Sequence, residues 1–175
     1  MMIDFGVAQH IEARATGQPG RRTFHLRILG EAGQSASVKL EKEHLLGLRM
    51  GLHELLVKTR HEGKLEVPGV VYFPPTPDYD FPAGRLGIGF STADGKIVFE
   101  VRQLETEGDQ DTIVIRARFM PEQGASLAAQ IDEIIATGRP ICSLCKTPID
   151  PEGHMCTKSN GHSRQPIPEE PSDNK

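Results

Sequence analysis

Residues 23–60 read TFHLRILGEAGQSASVKLEKEHLLGLRMGLHELLVKTR, and the spacing of their apolar residues changes partway along. Apolar side chains occupy every second position over 24–28 and again over 36–40, which predicts two half-buried strands. From about residue 41 to residue 60 the leucines recur three and four positions apart, which predicts a helix with one apolar face. This stretch therefore predicts two strands followed by a helix.

The same order of patterns returns later in the chain. Alternating apolar residues at 86–90, 97–101 and 113–119 predict three strands, and an apolar stripe over 121–135 predicts a second helix. We therefore expect an α+β fold with a mainly antiparallel sheet and two helices. The halves, about 1–66 and 85–139, are either a βββα duplication or two independent examples of a common pattern.

Residues 68–84 join the two halves and differ from both in composition. They contain five prolines, which argue against regular helix and central strand, yet they are the most aromatic part of the chain. A flexible linker would not be rich in aromatic residues. We expect an ordered, extended crossing whose aromatic side chains pack on a body formed by residues 1–140.

The composition is that of an ordinary soluble protein. The chain has 175 residues and a formal net charge of −4, which argues against wholesale binding to nucleic acid or anionic membranes. No apolar run reaches the ~20 residues that a membrane span needs, and the first residues do not resemble a signal peptide. We predict a cytoplasmic protein with no membrane partner and a disordered tail at residues 164–175.

All three cysteines lie within one short window near the end of the chain. Cys142 and Cys145 form a C-x-x-C pair, whose spacing lets one tight turn direct two thiolates at a single metal ion, and Cys156 is the third candidate ligand. His154 is the preferred fourth ligand, because in extended backbone it leaves the same face as Cys156. His162 is the alternative. This pattern predicts a zinc knuckle over residues 141–163 with one structural zinc ion per chain.

The stretch from Cys142 to His162 has the form C-x-L-C-x-x-P-I-D-P-x-G-H-x-C-x-x-x-N-G-H. Behind a strand-rich body, this motif resembles an uncharacterised bacterial family of conserved hypothetical proteins, a domain of unknown function with the number 3090. The resemblance covers the chain up to about His162. It supports the zinc motif and implies a shared pathway with a phosphoglycerate-mutase-like phosphatase and a phosphoinositide-kinase-like protein. It implies no activity.

The sequence contains no catalytic signature. No serine occupies a nucleophile elbow, and the metal motif leaves no cysteine to act as a nucleophile. We therefore expect a non-catalytic adaptor that binds another protein, with either the aromatic crossing or the basic face of the sheet as its contact surface. The candidate contact residues are the aromatic side chains of the crossing, namely Tyr72, Phe73, Tyr79 and Phe81.

Two other functions remain open at this stage. One is an enzyme or ligand-binding protein in a phosphate-linked pathway, in which Arg116 and Arg118 on a polar sheet face hold a phosphate-containing ligand. The other is a nucleic-acid-binding zinc ribbon. We place it third because the basic residues around the knuckle are few.

Overall fold

The structure is a computed structural model that describes residues 1–18, 20–59, 71–105, 112–149, 153–158 and 164–165. Of these, residues 164 and 165 are described as backbone only. Within these ranges the chain forms nine strands and two helices. Their bounds, in chain order, are β1 (Met2–Val7), β2 (His10–Thr16), β3 (Thr23–Leu29), β4 (Ser35–Leu40), α1 (Lys42–Lys58), β5 (Tyr79–Ser91), β6 (Lys96–Gln103), β7 (Val114–Phe119), α2 (Pro121–Ala136), β8 (His154–Met155) and β9 (Arg164–Gln165).

Seven of the strands form one mixed sheet with the order β1-β7-β6-β5-β4-β3-β2. Four of its neighbouring pairs are antiparallel, whereas β1 with β7 and β4 with β5 are parallel. Strands β8 and β9 form a separate antiparallel pair. The predicted α+β class, with a mainly antiparallel sheet and two helices, is confirmed.

Strand β5 begins inside the segment that we predicted to be an extended crossing. Its prolines were expected to exclude a central strand, and that expectation is wrong, because Pro82 lies within β5 between β4 and β6. The physical reason is that β5 changes partners here. Pairing with β4 ends at Pro82, and pairing with β6 begins at Ala83 with an irregular register. A proline is tolerated at such a break because no ladder donor is required, while its carbonyl still accepts a hydrogen bond from the Leu104 N–H at 2.8 Å.

The predicted βββα pattern occurs twice. Strands β2, β3 and β4 lead into α1, and strands β5, β6 and β7 lead into α2. Each half also begins with a segment that pairs in parallel with the last strand of the other half, namely β1 with β7 and the start of β5 with β4. A shift of 79 residues brings β4 and α1 onto β7 and α2, so that Leu40 matches Phe119 and Leu52 matches Ile131, all four of which are buried.

The core lies between the sheet and the two helices. α1 and α2 contact each other, while α1 also packs on β5 and α2 on β2. Arg49 of α1 and Asp132 of α2 form an ion pair between the helices. The buried side chains come from both helices and all seven strands of the large sheet. No helix in the described part of the chain is long and apolar enough to cross a membrane.

A second, smaller buried cluster follows α2. It consists of Cys142, Ile149 and Cys156, and it shares no residue with the core of the body. The chain reaches it just after α2 ends at Ala136. A hydrogen bond of 2.8 Å from the Ile149 N–H to the Pro140 carbonyl joins this cluster to the segment that leaves α2.

Candidate metal centre

A tight loop after α2 brings the first two cysteines together. Ile141 and Pro148 form an isolated antiparallel bridge at its base, and the Cys142 N–H donates to the Thr147 carbonyl at 2.9 Å. Within the loop the Lys146 N–H donates to the Cys142 carbonyl at 3.0 Å. Lys146 has a φ of 62°, a left-handed conformation that costs a non-glycine residue roughly 1–2 kcal/mol. Strained backbone of this kind clusters at functional sites.

Strand β8 and the residue after it supply the rest of the site. His154 lies in β8, which pairs with β9, and Cys156 directly follows Met155. Both residues lie close to Cys142 and Cys145. The four candidate ligand atoms all lie within 4.8 Å of one another. The Cys142 and Cys156 sulfurs are 3.8 Å apart, and the Cys145 sulfur is 3.1 Å from the His154 Nε2. Two sulfurs that are each about 2.3 Å from one ion in a tetrahedral shell are themselves about 3.8 Å apart, so the spacing suits a shared metal ion.

The centre is shielded from water on two sides. Cys142 and Cys156 are buried, and the Nδ1 atom of His154 is also buried without a hydrogen-bond partner among the described residues. The ring nitrogen that faces the Cys145 sulfur is Nε2, so a metal ion would bind there and Nδ1 would still need its own hydrogen-bond partner. The residues fit a metal ion because three thiols and one imidazole, all common metal ligands, lie within 4.8 Å of one another.

Hydrogen bonds favour the thiolate form of Cys145. Its sulfur lies 2.8 Å from the Thr147 hydroxyl, and this hydrogen bond, together with the Thr147 backbone N–H and the contacts to His154 and Cys142, lowers the pKa of Cys145 to about 6. A lowered thiol pKa favours metal binding, because the thiolate is the form that binds. Thr147 was missed in the sequence analysis; a hydroxyl two residues beyond a candidate ligand is the signal that would have suggested it.

The four preferred ligands predicted from the sequence are thus found together in space. Cys142, Cys145, His154 and Cys156 form a group that can hold one metal ion. The alternative fourth ligand, His162, lies outside the described residues.

The four aromatic residues predicted as contact residues occupy different environments. Phe81 is buried in the core, and Tyr79 packs at 5.9 Å against an aromatic ring of β1. The Phe73 ring lies 5.0 Å from the guanidinium carbon of Arg27, a cation–π distance. Tyr72 is 77% exposed. The segment before β5 is therefore held by its later aromatic residues and presents Tyr72 to solvent.

The two arginines predicted to hold phosphate both have acidic neighbours. Arg116 forms a close ion pair with Glu100, its register partner on β6, and Arg118 lies 3.8 Å from Asp94. Cross-strand pairs of opposite charge stabilise a sheet face. This arrangement accounts for both arginines without a ligand.

The chain belongs to the family described as "Protein of unknown function (DUF3090)", whose sequence model matches residues 3–156. The match includes all four residues of the candidate metal centre and ends at Cys156, before His162. No curated protein matches the chain significantly, and no solved structure does so either.

Proposed function

We propose that this protein is a non-catalytic adaptor that holds one structural zinc ion and binds another protein. The observation that supports the zinc site is the convergence of Cys142, Cys145, His154 and Cys156 within 4.8 Å. Thiolate and imidazole ligands favour zinc over magnesium or calcium, which prefer oxygen. Four protein ligands complete a tetrahedral shell and leave no position for water or substrate, which is the pattern of structural sites.

His154 is the proposed fourth ligand, in preference to His162. Its ring already lies beside Cys145, and the family match ends before His162. No disulfide joins the three cysteines. Clustered thiols that bind a metal are typical of a reducing compartment, which supports a cytoplasmic location.

Tyr72 is the proposed centre of the protein-binding surface. Large aromatic side chains are enriched at protein interfaces, and Tyr72 is exposed directly beside the residues that hold its segment on the body. Its neighbour Val71 is also exposed. Because Phe73 and Tyr79 pack on the body, the surface around Tyr72 is held in place in the unbound protein.

The adaptor role is tested by capture of partners from the native organism. Tyr72→Ala should abolish capture and leave the zinc content and melting temperature unchanged. Met50→Ala is the matched control, because Met50 is 69% exposed on α1 and its removal deletes a similar apolar surface. Loss of capture in both variants, or in neither, would remove Tyr72 from the interface.

Two arginine variants separate the adaptor from a phosphate-linked enzyme. If the chain turns over a phosphorylated metabolite and Arg116→Ala or Arg118→Ala abolishes the turnover, the adaptor proposal is overturned. We expect the unmodified chain to show no such turnover, because both arginines are paired with acidic residues.

A further inference from the structure

We propose that the cavity between the start of α1 and the end of α2 binds a small organic anion with an apolar body of about the size of a benzene ring. The cavity has a volume of about 160 Å³. Its wall is formed by the β2–β3 hairpin and the two helix ends. The lining residues are Gly20, Arg22, Phe24, Lys42, Leu45, Ile134, Ile135, Gly138 and Arg139.

The charge of the lining indicates an anionic ligand. Three of the lining residues, Arg22, Lys42 and Arg139, are basic and none is acidic, although the chain as a whole has a net charge of −4. Arg22 is held in position by hydrogen bonds from its guanidinium to the Ile134 carbonyl at 3.3 Å and to the Thr137 hydroxyl at 3.0 Å. A guanidinium fixed in this way retains further N–H donors for a carboxylate or phosphate.

The position of Lys42 is consistent with the same ligand. Lys42 is the first residue of α1, where the partial positive charge of the helix end disfavours a cation. Glu41 and Glu43 flank Lys42 and offset part of this charge, so the contribution of Lys42 to anion binding rests on its place in the cavity lining.

The floor of the cavity is apolar and has the size for one small group. Leu45 is buried, and Phe24, Ile134 and Ile135 are half-buried around it. An apolar cavity of ~150 Å³ in another protein holds benzene, so a volume of about 160 Å³ suits one ring or a short branched chain.

The matching positions of the other βββα half carry different residues. In the other half, the 79-residue shift places Gly124 at the position of Leu45, and a Cβ on Gly124 would lie 2.5 Å from the Ile97 Cδ1. The same shift places Pro121 at the position of Lys42. The other half therefore has neither the leucine nor the lysine of the proposed site at these two positions.

The proposal is tested by titrating the full-length, metal-loaded protein with sodium benzoate, phenyl phosphate and neutral benzamide. We expect saturable chemical-shift changes at the Gly20 and Gly138 amides with one or both anions, and none with benzamide; the tighter anion identifies the head group. Lys42→Gln should weaken binding about tenfold, since it removes one charge-assisted contact. Lys96→Gln is the control, because it removes the same charge beside Asp94 at the β5–β6 turn.

Three results would overturn the proposal. They are equal binding of benzamide and benzoate, unchanged affinity in Lys42→Gln, and no saturable shift with either anion. The readout is anion binding and not partner capture, so the result is independent of the adaptor role.

Discussion

Removing the metal should unfold the knuckle from Cys142 onward and leave the body folded. The physical basis is the separation of the two buried clusters. The core of the body draws on both helices and the seven-stranded sheet, whereas the cluster of the knuckle contains Cys142, Ile149 and Cys156. A chelator competes with the thiolates and the imidazole for the metal ion and disrupts no contact within the body.

The magnitudes show that the knuckle cannot stay ordered by itself. Ile149 is the only aliphatic side chain in its buried cluster among the described residues, and its burial stabilises by about 1.5–3 kcal/mol. Ordering about 15 residues costs on the order of 15 kcal/mol at ~1 kcal/mol each. A structural zinc site contributes roughly 10–16 kcal/mol, which is the size of the deficit.

The assay is an amide spectrum of the isotopically labelled protein before and after addition of a chelator. Resonances of residues 142–149 and 153–158 should collapse to unfolded positions, while resonances of β3, β6 and both helices should move little. Returning zinc should restore the first set. Simultaneous loss of the body resonances would show that the two parts fold as one unit, and an unchanged knuckle would refute the role of the metal.

Three further predictions concern single side chains. His154→Ala should lower zinc retention in a chelator competition much more than His162→Ala, and the reverse order would assign the fourth ligand to His162. Hydrogen bonds from the Ser35 N–H and hydroxyl, at 2.8 and 2.9 Å, lower the pKa of Asp78. The ionised Asp78 carboxylate therefore stabilises the fold above about pH 4, and this stabilisation is lost as the pH falls. Asp78→Asn should therefore flatten the acid side of the stability curve in urea unfolding. Gly47→Ala should raise the free energy of unfolding by up to about 1 kcal/mol, because a Cβ there meets nothing within 4 Å in the middle of α1; a loss of stability would show that the position is crowded.

The strands and helices were predictable because their apolar periods are clear. Alternation over 24–28 and 36–40 identifies the buried faces of β3 and β4, and Leu26, Val38 and Leu40 are indeed buried. Alternation does not identify the neighbour of a strand, since either edge of a strand pairs equally well. The two parallel pairs, and the change of partners at Pro82, therefore had no signal in the sequence.

The candidate site was more predictable than the contact surface, for a related reason. Cys142 and Cys145 are close in the chain, so a local turn brings them together, and their spacing carries that information. The exposure of Tyr72 and the burial of Phe81 depend on where β5 joins the sheet, a nonlocal property. The cavity beside Lys42 likewise combines a hairpin and two helix ends that are far apart in the sequence.

The most direct test of the central proposal is elemental analysis of the purified full-length protein prepared without chelator. The account predicts about one zinc ion per chain, and it predicts that Cys142→Ser and Cys156→Ser each lose most of this zinc while the spectrum of the body is retained. A metal-free protein, or one in which a metal other than zinc is stoichiometric, would contradict it.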